Sequence, residues 1–563
     1  MLEATGGQPV CSGTEGSFPR NGTDCKIKKE VNALKKILFL IVASLLVLGL
    51  VLAGCGGSGE QQEEEEEPVV GDIVFENGKI SIGIAGELTH MTGKFQLLGA
   101  SMAANEINAL AKKVDIDGVP HAIALVEIET GEATVDQTGA QGYSALLAKI
   151  DQVGFILGGF RTEAVTVYRE VAVGPAGAGV IFFNCGAATE ALQHSVVTDY
   201  ANYKYWFKTT PPNDGFLAQT IIRMVDSVGR AIRTAGNMSA DYHLRAGIVA
   251  DNLAWCQELW PIIEAGLPGI NFDLVTPTVK INPLLVDPTQ MIAALTPIAA
   301  GNPHIVIPVL SADAGVAFAS IRKAVMPSAM SVGINVPAQF KSPWAAKLAT
   351  PPPGGPGCAY DLGMDTWAEG LAITPSTLPF LTAFMSFASG EYPLYTAATY
   401  DGLKTLVAAI EAEAWYDADA GKGYANTADI IAWLENLANA RTTTTGKAAY
   451  YPLAGTTSGG KPALTEAQVK ALYPTIGTTG YPAYNAADWT SPFHTQHDIV
   501  YGPNYVFGVG IQWQWDATAS QWKKFAVWPT QIAGANLKDK YGDWNFQLTG
   551  TKTLILNPAT VKP

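Results

Sequence analysis

Two short stretches near the C-terminus contain residue types that bind phosphates or metals in other proteins. Residues 455–461 (GTTSGGK) match the GxxxxGK pattern of phosphate-binding loops, but Pro462 replaces the Ser or Thr that would bind Mg²⁺. His494 and His497 (HTQH) would ligate a metal if both lay on one helical face, but Pro492 just upstream favours a loop. We interpret both stretches as loops and expect no metal site.

Motifs of common enzyme classes are missing from the sequence. It contains no GxSxG, HExxH or CxxC, the motifs of many serine hydrolases, zinc proteases and thiol oxidoreductases. Residues 83–86 (GIAG) follow a predicted strand without the GxGxxG that admits a pyrophosphate beside a helix N-terminus. We therefore expect a protein that is not an enzyme, with no catalytic residues and no cofactor.

Composition and charge restrict the class of protein further. Of the 563 residues, 48% are hydrophobic and 15% are charged, so the chain can form more than one hydrophobic core. The 36 basic and 51 acidic side chains give a net charge of −15. A nucleic-acid-binding protein needs a basic face to neutralise phosphates, so we expect no nucleic-acid partner.

An apolar run near the N-terminus indicates export from the cytoplasm. Residues 37–53 are apolar or small, Lys35 and Lys36 precede them, and the run ends in Leu-Ala-Gly-Cys at Cys55. A basic flank, a short apolar core and small residues before a cleavage site are typical of a signal peptide. A run of this length could nearly cross a bilayer, so a permanent anchoring helix is the alternative.

The end of this run resembles the lipobox of bacterial lipoproteins, in which the cysteine is lipidated and becomes the first residue of the mature chain. The resemblance implies that Cys55 is a lipidation site that attaches the protein to a membrane. Residues 1–30 fit poorly in front of such a signal, which normally opens a chain. We therefore expect translation to begin near Val31.

The residues that follow Cys55 predict a flexible linker. Gly and Ser make residues 56–59 flexible, and the glutamates at 63–67 repel one another, so the stretch stays solvated. The three cysteines that follow Cys55, namely Cys185, Cys256 and Cys358, are odd in number and lack metal-ligand spacing. We interpret them as buried thiols, with one disulfide as the alternative.

From residue 79 onward, short β-rich runs alternate with longer helical ones, which predicts an α/β fold with parallel sheets covered on both faces. Strands are predicted at 79–85, 121–128, 154–157, 180–183, 205–208, 245–250, 273–279, 304–310, 505–515 and 521–528. Helices are predicted at 95–112, 217–234, 257–264, 312–324, 378–389, 397–414 and 428–440. The break between two sheets is expected near 200–212, and the Pro-rich stretch 350–357 is expected to be a loop insertion.

The order of these elements is similar to that of a known family. Residues 80–109 (ISIGIAGELTHMTGKFQLLGASMAANEINA) resemble the opening strand, loop and helix of type I periplasmic binding proteins, the Leu/Ile/Val-binding family that serves ABC importers. Similar segments follow in family order at 155–162 (FILGGFRT), 180–192 (VIFFNCGAATEAL), 246–256 (AGIVADNLAWC), 400–410 (YDGLKTLVAAI) and 527–529 (VWP).

The resemblance implies two doubly wound parallel-sheet lobes joined by a multi-crossing hinge, with the lipoprotein signal and acidic linker in front. The implied divisions are 1–54 for the N-terminal extension and signal peptide, 55–77 for the linker, 78–206 with 337–441 for lobe 1, 207–336 with 442–545 for lobe 2, and 546–563 for the tail.

The implied function is reversible binding of a small solute between the lobes. The ligand would be an amino acid, an amide or a carboxylate, and the protein would be a monomer at the outer face of a bacterial membrane that delivers it to an ABC permease. The loops after parallel strands present helix N-termini, which attract carboxylates. A ligand sensor for a signalling partner would share these features and is the alternative, with a hydrolase as a weaker one.

The resemblance also assigns candidate ligand contacts in the first lobe. The loop that hydrogen-bonds a ligand carboxylate matches Gly159, Phe160, Arg161 and Thr162. The neighbouring loop, which supplies backbone and hydroxyl contacts, matches Gly186, Ala187, Ala188 and Thr189. His90 and Met91 match a position that often carries an aromatic. For Thr162 and Thr189, the alternative to ligand contact is the role of a helix N-cap.

In the second lobe, Trp255 matches an aromatic lid, with a core Trp as the alternative. Leu310 and Ser311 would lie opposite. Family members that bind α-amino acids hold the ammonium with a carboxylate near Asn335 or Gln339, neither of which is acidic here. Asn335 remains a candidate contact. Arg161 adds a cation to this loop, so an anionic or neutral ligand fits the sequence as well as an amino acid does. This inference requires that Arg161 does not point to solvent.

Overall fold

The computed structural model describes residues 72–450, 496–501, 506, 508–529 and 552–556, together with the backbone of two short strands near the C-terminus. The predicted signal peptide, Cys55, most of the linker, the GTTSGGK stretch and His494 lie outside the described residues. The chain divides into two units, 1–69 and 70–563, and all described residues belong to the second. Within them, no helix has the length and apolar character needed to cross a membrane.

The strands, in chain order, are β1 Ile73–Phe75, β2 Lys79–Gly86, β3 Val114–Ile116, β4 Val119–Glu129, β5 Phe155–Gly158, β6 Ile181–Asn184, β7 Trp206–Lys208, β8 Leu244–Asp251, β9 Phe272–Leu274, β10 Val279–Ile281, β11 Ile305–Leu310, β12 Met330–Asn335, β13 Leu362–Asp365, β14 Trp415–Asp417, β15 Lys422–Ala425, β16 Arg441–Thr442, β17 Lys447–Ala448, β18 Val509–Asp516, β19 Gln521–Trp528, β20 Lys538–Asp539 and β21 Gly542–Asp543.

The α-helices are α1 Met91–Ala109, α2 Ala140–Leu147, α3 Thr162–Tyr168, α4 Glu190–Thr198, α5 Tyr200–Tyr203, α6 Asp214–Ala235, α7 Ala254–Gly266, α8 Pro288–Ala300, α9 Ala314–Val325, α10 Thr377–Phe387, α11 Thr399–Glu413 and α12 Thr427–Leu434. Each predicted helix is present, although α12 is shorter than predicted and is followed by a 3₁₀ turn, Leu437–Asn439.

The first sheet has the strand order β3-β4-β2-β5-β6-β7. Its strands are parallel except for β3, which pairs with β4 in the antiparallel sense. All residues of β5 and β6 are buried, as expected for parallel strands covered by helices on both faces. The alternation of strands and helices in the sequence therefore predicted the parallel strands of this sheet correctly, whereas β3 was not predicted.

The second sheet has the order β10-β8-β11-β12-β13-β18-β19, with β9 also paired to β8. It is parallel up to β13, and β18 and β19 continue it in the antiparallel sense. The single strand predicted at 273–279 is two short strands, because Pro277 interrupts the pairing with β8. Strand β13 also lies in this sheet, although residues 337–441 were expected in the first lobe; its short sequence, LGMD, carries no strand periodicity.

The chain passes between the two sheets three times within the described residues. The first passage, 209–213, joins β7 to α6, whose N-cap Asn213 accepts a hydrogen bond from the backbone of Phe216. Residues 366–376 return from β13 to α10, and the third passage precedes β18. The first passage lies beside the break predicted near 200–212, and residues 350–357 form the expected loop.

Buried apolar side chains form the core on both faces of each sheet. Cys185, Cys256 and Cys358 are free and buried, which confirms the interpretation as small apolar side chains. Burial raises the pKa of the Cys185 thiol to about 12, so this thiol stays protonated at neutral pH.

Candidate functional site

A cavity lies where the carboxyl ends of the strands of the two sheets face each other. From the first-sheet side it is lined by Phe160, Arg161, Gly186, Ala188 and Tyr395. From the second-sheet side it is lined by Trp255, Ser311, Ile334, Gln339, Met364 and Asp365. The cavity has a volume of about 70 Å³, which is room for a few waters at roughly 10–15 Å³ each. The cavity therefore suits a compact solute.

A glycine at the end of β5 allows the first-sheet loop to turn into the cavity. Gly158 has φ +136°, and a Cβ at this position would lie 1.9 Å from the backbone oxygen of Ala85. Any larger residue would therefore clash with the neighbouring strand. Phe160 and Arg161 follow directly, so the position of both depends on this close approach of two backbones.

A buried carboxyl group holds the same loop in place. Glu132 Oε2 accepts hydrogen bonds from the backbone N–H groups of Phe160 and Arg161, both at 3.0 Å, and from the Tyr168 hydroxyl at 3.1 Å. Burial raises the pKa of Glu132 to about 7, against the opposing effect of these donors. The loop that carries Arg161 is thus fixed by a group that titrates near neutral pH.

Arg161 is a buried cation that is incompletely paired. Its side chain is 3% exposed, and Nη2 donates to the backbone oxygen of Ala133 at 3.0 Å. Nε and Nη1 are buried and have no hydrogen-bond partner. Burial lowers the pKa of Arg161, while the carboxyl groups of Glu163 and Asp251 oppose that change. Arg161 therefore does not point to solvent. The sequence-based inference of an anionic or neutral ligand required this, so that inference stands as a prediction.

The second sheet contributes its loops in a similar way. Ser311 follows β11 and donates from its backbone N–H at 2.7 Å and its hydroxyl at 3.0 Å to Asp251 Oδ2, at the end of β8. Burial raises the pKa of Asp251 to about 6. Trp255 lies in the first turn of α7, which begins just after β8, and is 8% exposed. A carboxyl group at a strand end again fixes a loop of the cavity wall.

Two polar side chains of the second-sheet wall differ in their pairing. Gln339 Nε2 donates to the backbone oxygen of Met364 at 3.0 Å, but Oε1 is buried without a partner. Asp365, in contrast, pairs with Lys524 Nζ at 2.5 Å, and both side chains are fully buried. Lys524 also donates to the backbone oxygen of Gln339 at 2.7 Å. The charge of Asp365 is therefore neutralised within the protein.

Hydrogen bonds join the two sides of the cavity at its rim. Glu163 Oε1, in α3, accepts from the backbone N–H of Ala254 in α7 at 2.7 Å. The Thr189 hydroxyl, after β6, donates to Glu258 Oε2 in α7 at 2.5 Å. Burial and the neighbouring Glu258 carboxylate raise the pKa of Asp214 at the start of α6. These contacts describe a closed arrangement of the two sheets.

Six of the fourteen predicted ligand-contact residues line the cavity: Phe160, Arg161, Gly186, Ala188, Trp255 and Ser311. The remaining first-lobe candidates, His90, Met91, Gly159, Thr162, Ala187 and Thr189, do not belong to the cavity wall. The same is true of the second-lobe candidates Leu310 and Asn335. Ligand contact by the six lining residues remains a prediction.

The structure gives the excluded residues other positions. Leu310 belongs to the apolar cluster on the opposite side of the second sheet, because successive strand residues face opposite ways. Asn335 Nδ2 donates to the backbone oxygen of Gly315 at 3.0 Å. His90 Nδ1 contacts the Thr92 hydroxyl at 3.0 Å. Each is therefore engaged with its own lobe.

The alternative role of helix N-cap applies to only one of the two threonines. Thr189 is the N-cap of α4, and its hydroxyl oxygen accepts from the backbone of Ala191 at 3.3 Å. Thr162 is the first residue of α3, with Arg161 at the N-cap position, and its buried hydroxyl has no partner.

Sequence reasoning missed several residues of the cavity wall. Met364 and Asp365 end β13, a strand that was not predicted, and Tyr395 precedes α11, where its hydroxyl donates to the backbone oxygen of Gly186 at 3.3 Å. Gln339 was named only as an alternative to Asn335. Recognising β13 as a strand would have placed Asp365 at this edge, since the ends of parallel strands meet there.

His497 is buried in a setting unlike a metal site. Its ring stacks on Phe207 with centroids 4.0 Å apart, and Nε2 lies 2.6 Å from Glu435 Oε1. Across the part of the chain that the structure describes, no three His, Cys, Asp or Glu residues converge in a way that could hold a metal ion.

No protein-family model and no curated protein matches this sequence. Among solved structures, an ABC transporter substrate-binding protein from Sphaerobacter thermophilus is similar over 66% of this chain and 90% of its own, with 16% identity and a TM-score of 0.50. A solute-binding protein of an ABC transporter from R. palustris, in complex with 4-hydroxybenzoate, is similar over 80% and 96%, with 12% identity and a TM-score of 0.51.

A putative branched-chain amino acid ABC transporter from Silicibacter pomeroyi is similar over 81% of this chain and 98% of its own, with 16% identity and a TM-score of 0.51. At these identities the likeness concerns the fold. Two parallel-containing α/β sheets, joined by repeated passages of the chain, agree with that likeness. The chain thus has the fold of type I periplasmic binding proteins, the fold that its sequence predicted.

Proposed function

We propose that this protein is the extracytoplasmic solute-binding component of an ABC importer. The observation that carries the proposal is the cavity enclosed by strand ends from both sheets and closed by the hydrogen bonds of Glu163 and Thr189 to α7. Solved proteins of this fold include solute-binding proteins of ABC transporters, one of them in complex with 4-hydroxybenzoate. Reversible binding of a small organic solute explains such a cavity without any covalent step.

Binding in this mechanism depends on the relative position of the two lobes. With the lobes apart, the loops after β5, β6, β8 and β11 are open to water and to the solute. The solute contacts both walls at once only in the closed form, so it binds that form more tightly than the open one. This difference in affinity determines the fraction of molecules that are closed. Trp255 and Arg161, on opposite walls, are the main contacts in this proposal.

The proposed location is the outer face of the cell membrane, with Cys55 lipidated. The residues between Cys55 and β1 are the proposed tether, because Ile73–Phe75 of the predicted linker are a strand paired with β15. A membrane permease is the partner that receives the solute. Replacing Cys55 with Ala tests the anchor, because the precursor would then lack the acceptor of the lipid. The variant should move from the membrane fraction to the soluble fraction, whereas an anchoring helix at 37–53 would keep it in the membrane.

A thermal-shift screen of the full chain tests solute binding. The panel contains amino acids, small carboxylates, amides and aromatic acids. A solute at 100 times its dissociation constant should add roughly 2.7 kcal/mol to the free energy of unfolding and raise the Tm. The proposal is wrong if no member of this panel raises the Tm, or if the purified chain chemically converts the solute that does.

A further inference from the structure

We infer that the solute is an organic monocarboxylate with an apolar body and one neutral hydrogen-bond donor, and that an α-ammonium group is disfavoured. This inference rests on the proposed function and specifies the ligand class of the same cavity. It is carried by two buried groups of the described cavity wall, Arg161 on the first-sheet side and Gln339 on the second. Nε and Nη1 of Arg161 and Oε1 of Gln339 have no hydrogen-bond partner.

Arg161 supplies the contact for the negative charge. Leaving guanidinium nitrogens buried and unpaired costs free energy, and an ionised acceptor is the partner that compensates best. Four carboxyl groups lie near Arg161, and each accepts from backbone donors elsewhere: Glu87 from Ala133 and Thr134, Glu132 from the loop itself, Glu163 from Ala254, and Asp251 from Ser311. None of them accepts from Nε or Nη1 of Arg161. An acceptor from the solute therefore completes the pairing of Arg161.

The charge of the solute follows from the residues of the wall. Arg161 is the one basic residue among the described lining residues. Because carboxyl groups of the protein already lie near this cation, a carboxylate with one negative charge fits better than a phosphate with two. The apolar side chains of Trp255, Ile334 and Met364 cover the rest of the wall and suit an apolar body.

An ammonium group has no free partner in this wall. Asp365 is the acidic residue among the described lining residues, and Lys524 already neutralises it at 2.5 Å. Gln339 Oε1 offers a neutral acceptor, which suits a hydroxyl or an amide N–H of the solute. A buried ammonium without a carboxylate would pay a large desolvation cost, so the free amino acid should bind more weakly than its deamino form.

Matched solutes test the charge preference on the unmodified full chain by isothermal titration calorimetry. One pair is 4-methylpentanoate and L-leucine, and the other is 3-(4-hydroxyphenyl)propanoate and L-tyrosine. Within each pair the solutes differ only in the ammonium group. In at least one pair, the acid should bind at least tenfold more tightly than the amino acid. Tighter binding of the amino acid overturns the inference on ligand class while the proposed function stands.

Two control solutes test the roles of the individual groups. The amide 3-(4-hydroxyphenyl)propanamide lacks the carboxylate, and 3-phenylpropanoate lacks the hydroxyl donor. Arg161→Gln should weaken binding of the acids about 10- to 100-fold and that of the amide by less than about twofold. Gln339→Leu should abolish the preference for the hydroxylated acid. Equal losses for acid and amide in Arg161→Gln would overturn the role of Arg161.

The remaining outcomes separate the two proposals. If Arg161→Gln does not fold, the comparison of acid with amide on the unmodified chain decides the charge preference. If neutral or zwitterionic solutes bind and none of the acids does, the ligand class is wrong and solute binding is right. If no solute of any class binds, the proposed function fails together with the inference that rests on it.

Discussion

The Thr189 hydroxyl donates a hydrogen bond of 2.5 Å to Glu258 Oε2, although the two residues follow strands of different sheets. Thr189 is also the N-cap of α4, so its side chain is fixed in the first lobe. Glu258 lies in α7, which packs on the second sheet. The bond therefore forms when the two lobes approach, and it links closure of the cavity to one identifiable contact.

Replacing Thr189 with Val should weaken solute affinity without preventing folding. The closed form loses one hydrogen bond, worth about 1 kcal/mol, or roughly fivefold in the dissociation constant. Titration calorimetry with the best solute of the thermal-shift screen measures the change. Thr278→Val is a matched control, because the Thr278 hydroxyl donates to Glu264 at 2.6 Å within the second lobe. Equal losses in the two variants would contradict a role of Thr189 in closure.

Trp255→Ala should abolish the thermal shift produced by the solute. The indole is 8% exposed and lines the cavity, so its removal takes away apolar contact and leaves a larger space. Because the side chain also packs against the core, the Tm without solute is expected to fall as well. Trp255→Phe should retain part of the shift. A full thermal shift in Trp255→Ala would remove this residue from the binding site.

The stability of the protein should fall as pH rises from about 4.5 to 7, in part because of Glu132. Its pKa is raised from 4.5 to about 7 in the folded protein, so the folded state retains a proton that the unfolded state releases in this range. The loss is on the order of 3 kcal/mol. Melting curves from pH 4 to 8 measure it, and Glu132→Gln should reduce the slope.

Asp136→Asn is the control for this pH dependence. Hydrogen bonds from the Thr138 hydroxyl and the Gln141 backbone lower the pKa of the half-buried Asp136, so its contribution has the opposite sign. Its replacement should not flatten the loss of stability between pH 4.5 and 7. The assignment to Glu132 fails if Glu132→Gln keeps the slope of the unmodified protein.

Lys524→Met should destabilise the protein by about 3–5 kcal/mol, because it leaves the Asp365 carboxylate buried without its partner. Denaturant unfolding gives the change in free energy. The double variant Lys524→Met/Asp365→Leu should recover most of the loss, since it removes both charges. If the double variant is as unstable as the single one, packing around Lys524 and not charge pairing accounts for the effect.

The pattern of the sequence predicted the parallel strands of the first sheet and much of the second, but it missed β3 and β12. Strands such as β5 and β6 are continuous apolar runs between helical segments, and such runs indicate buried parallel strands whatever surrounds them. β13 was not predicted, because four residues, LGMD, carry no period. Its place in the sheet depends on pairing with β12 and β18, which are distant in the sequence.

The candidate site was predictable to the extent that it follows strand ends. Arg161, Trp255 and Ser311 were named from the resemblance to a known family. They follow β5, β8 and β11, and all three line the cavity. Leu310 was misplaced by one residue, which along a strand is enough to turn a side chain to the other face. Tyr395 was missed because it comes from a connection before α11, whose approach to the first-sheet loops is a tertiary contact.

The sequence alone determined the alternation of strands and helices, the fold class and the presence of a cation in a strand-end loop. These depend on local periodicity and residue type, which each segment carries by itself. The tertiary structure decided which buried charges are neutralised. Asp365 pairs with Lys524 from a strand 159 residues away, whereas Arg161 keeps unpaired nitrogens. Pairing depends on distances between remote segments, and only folding sets those distances.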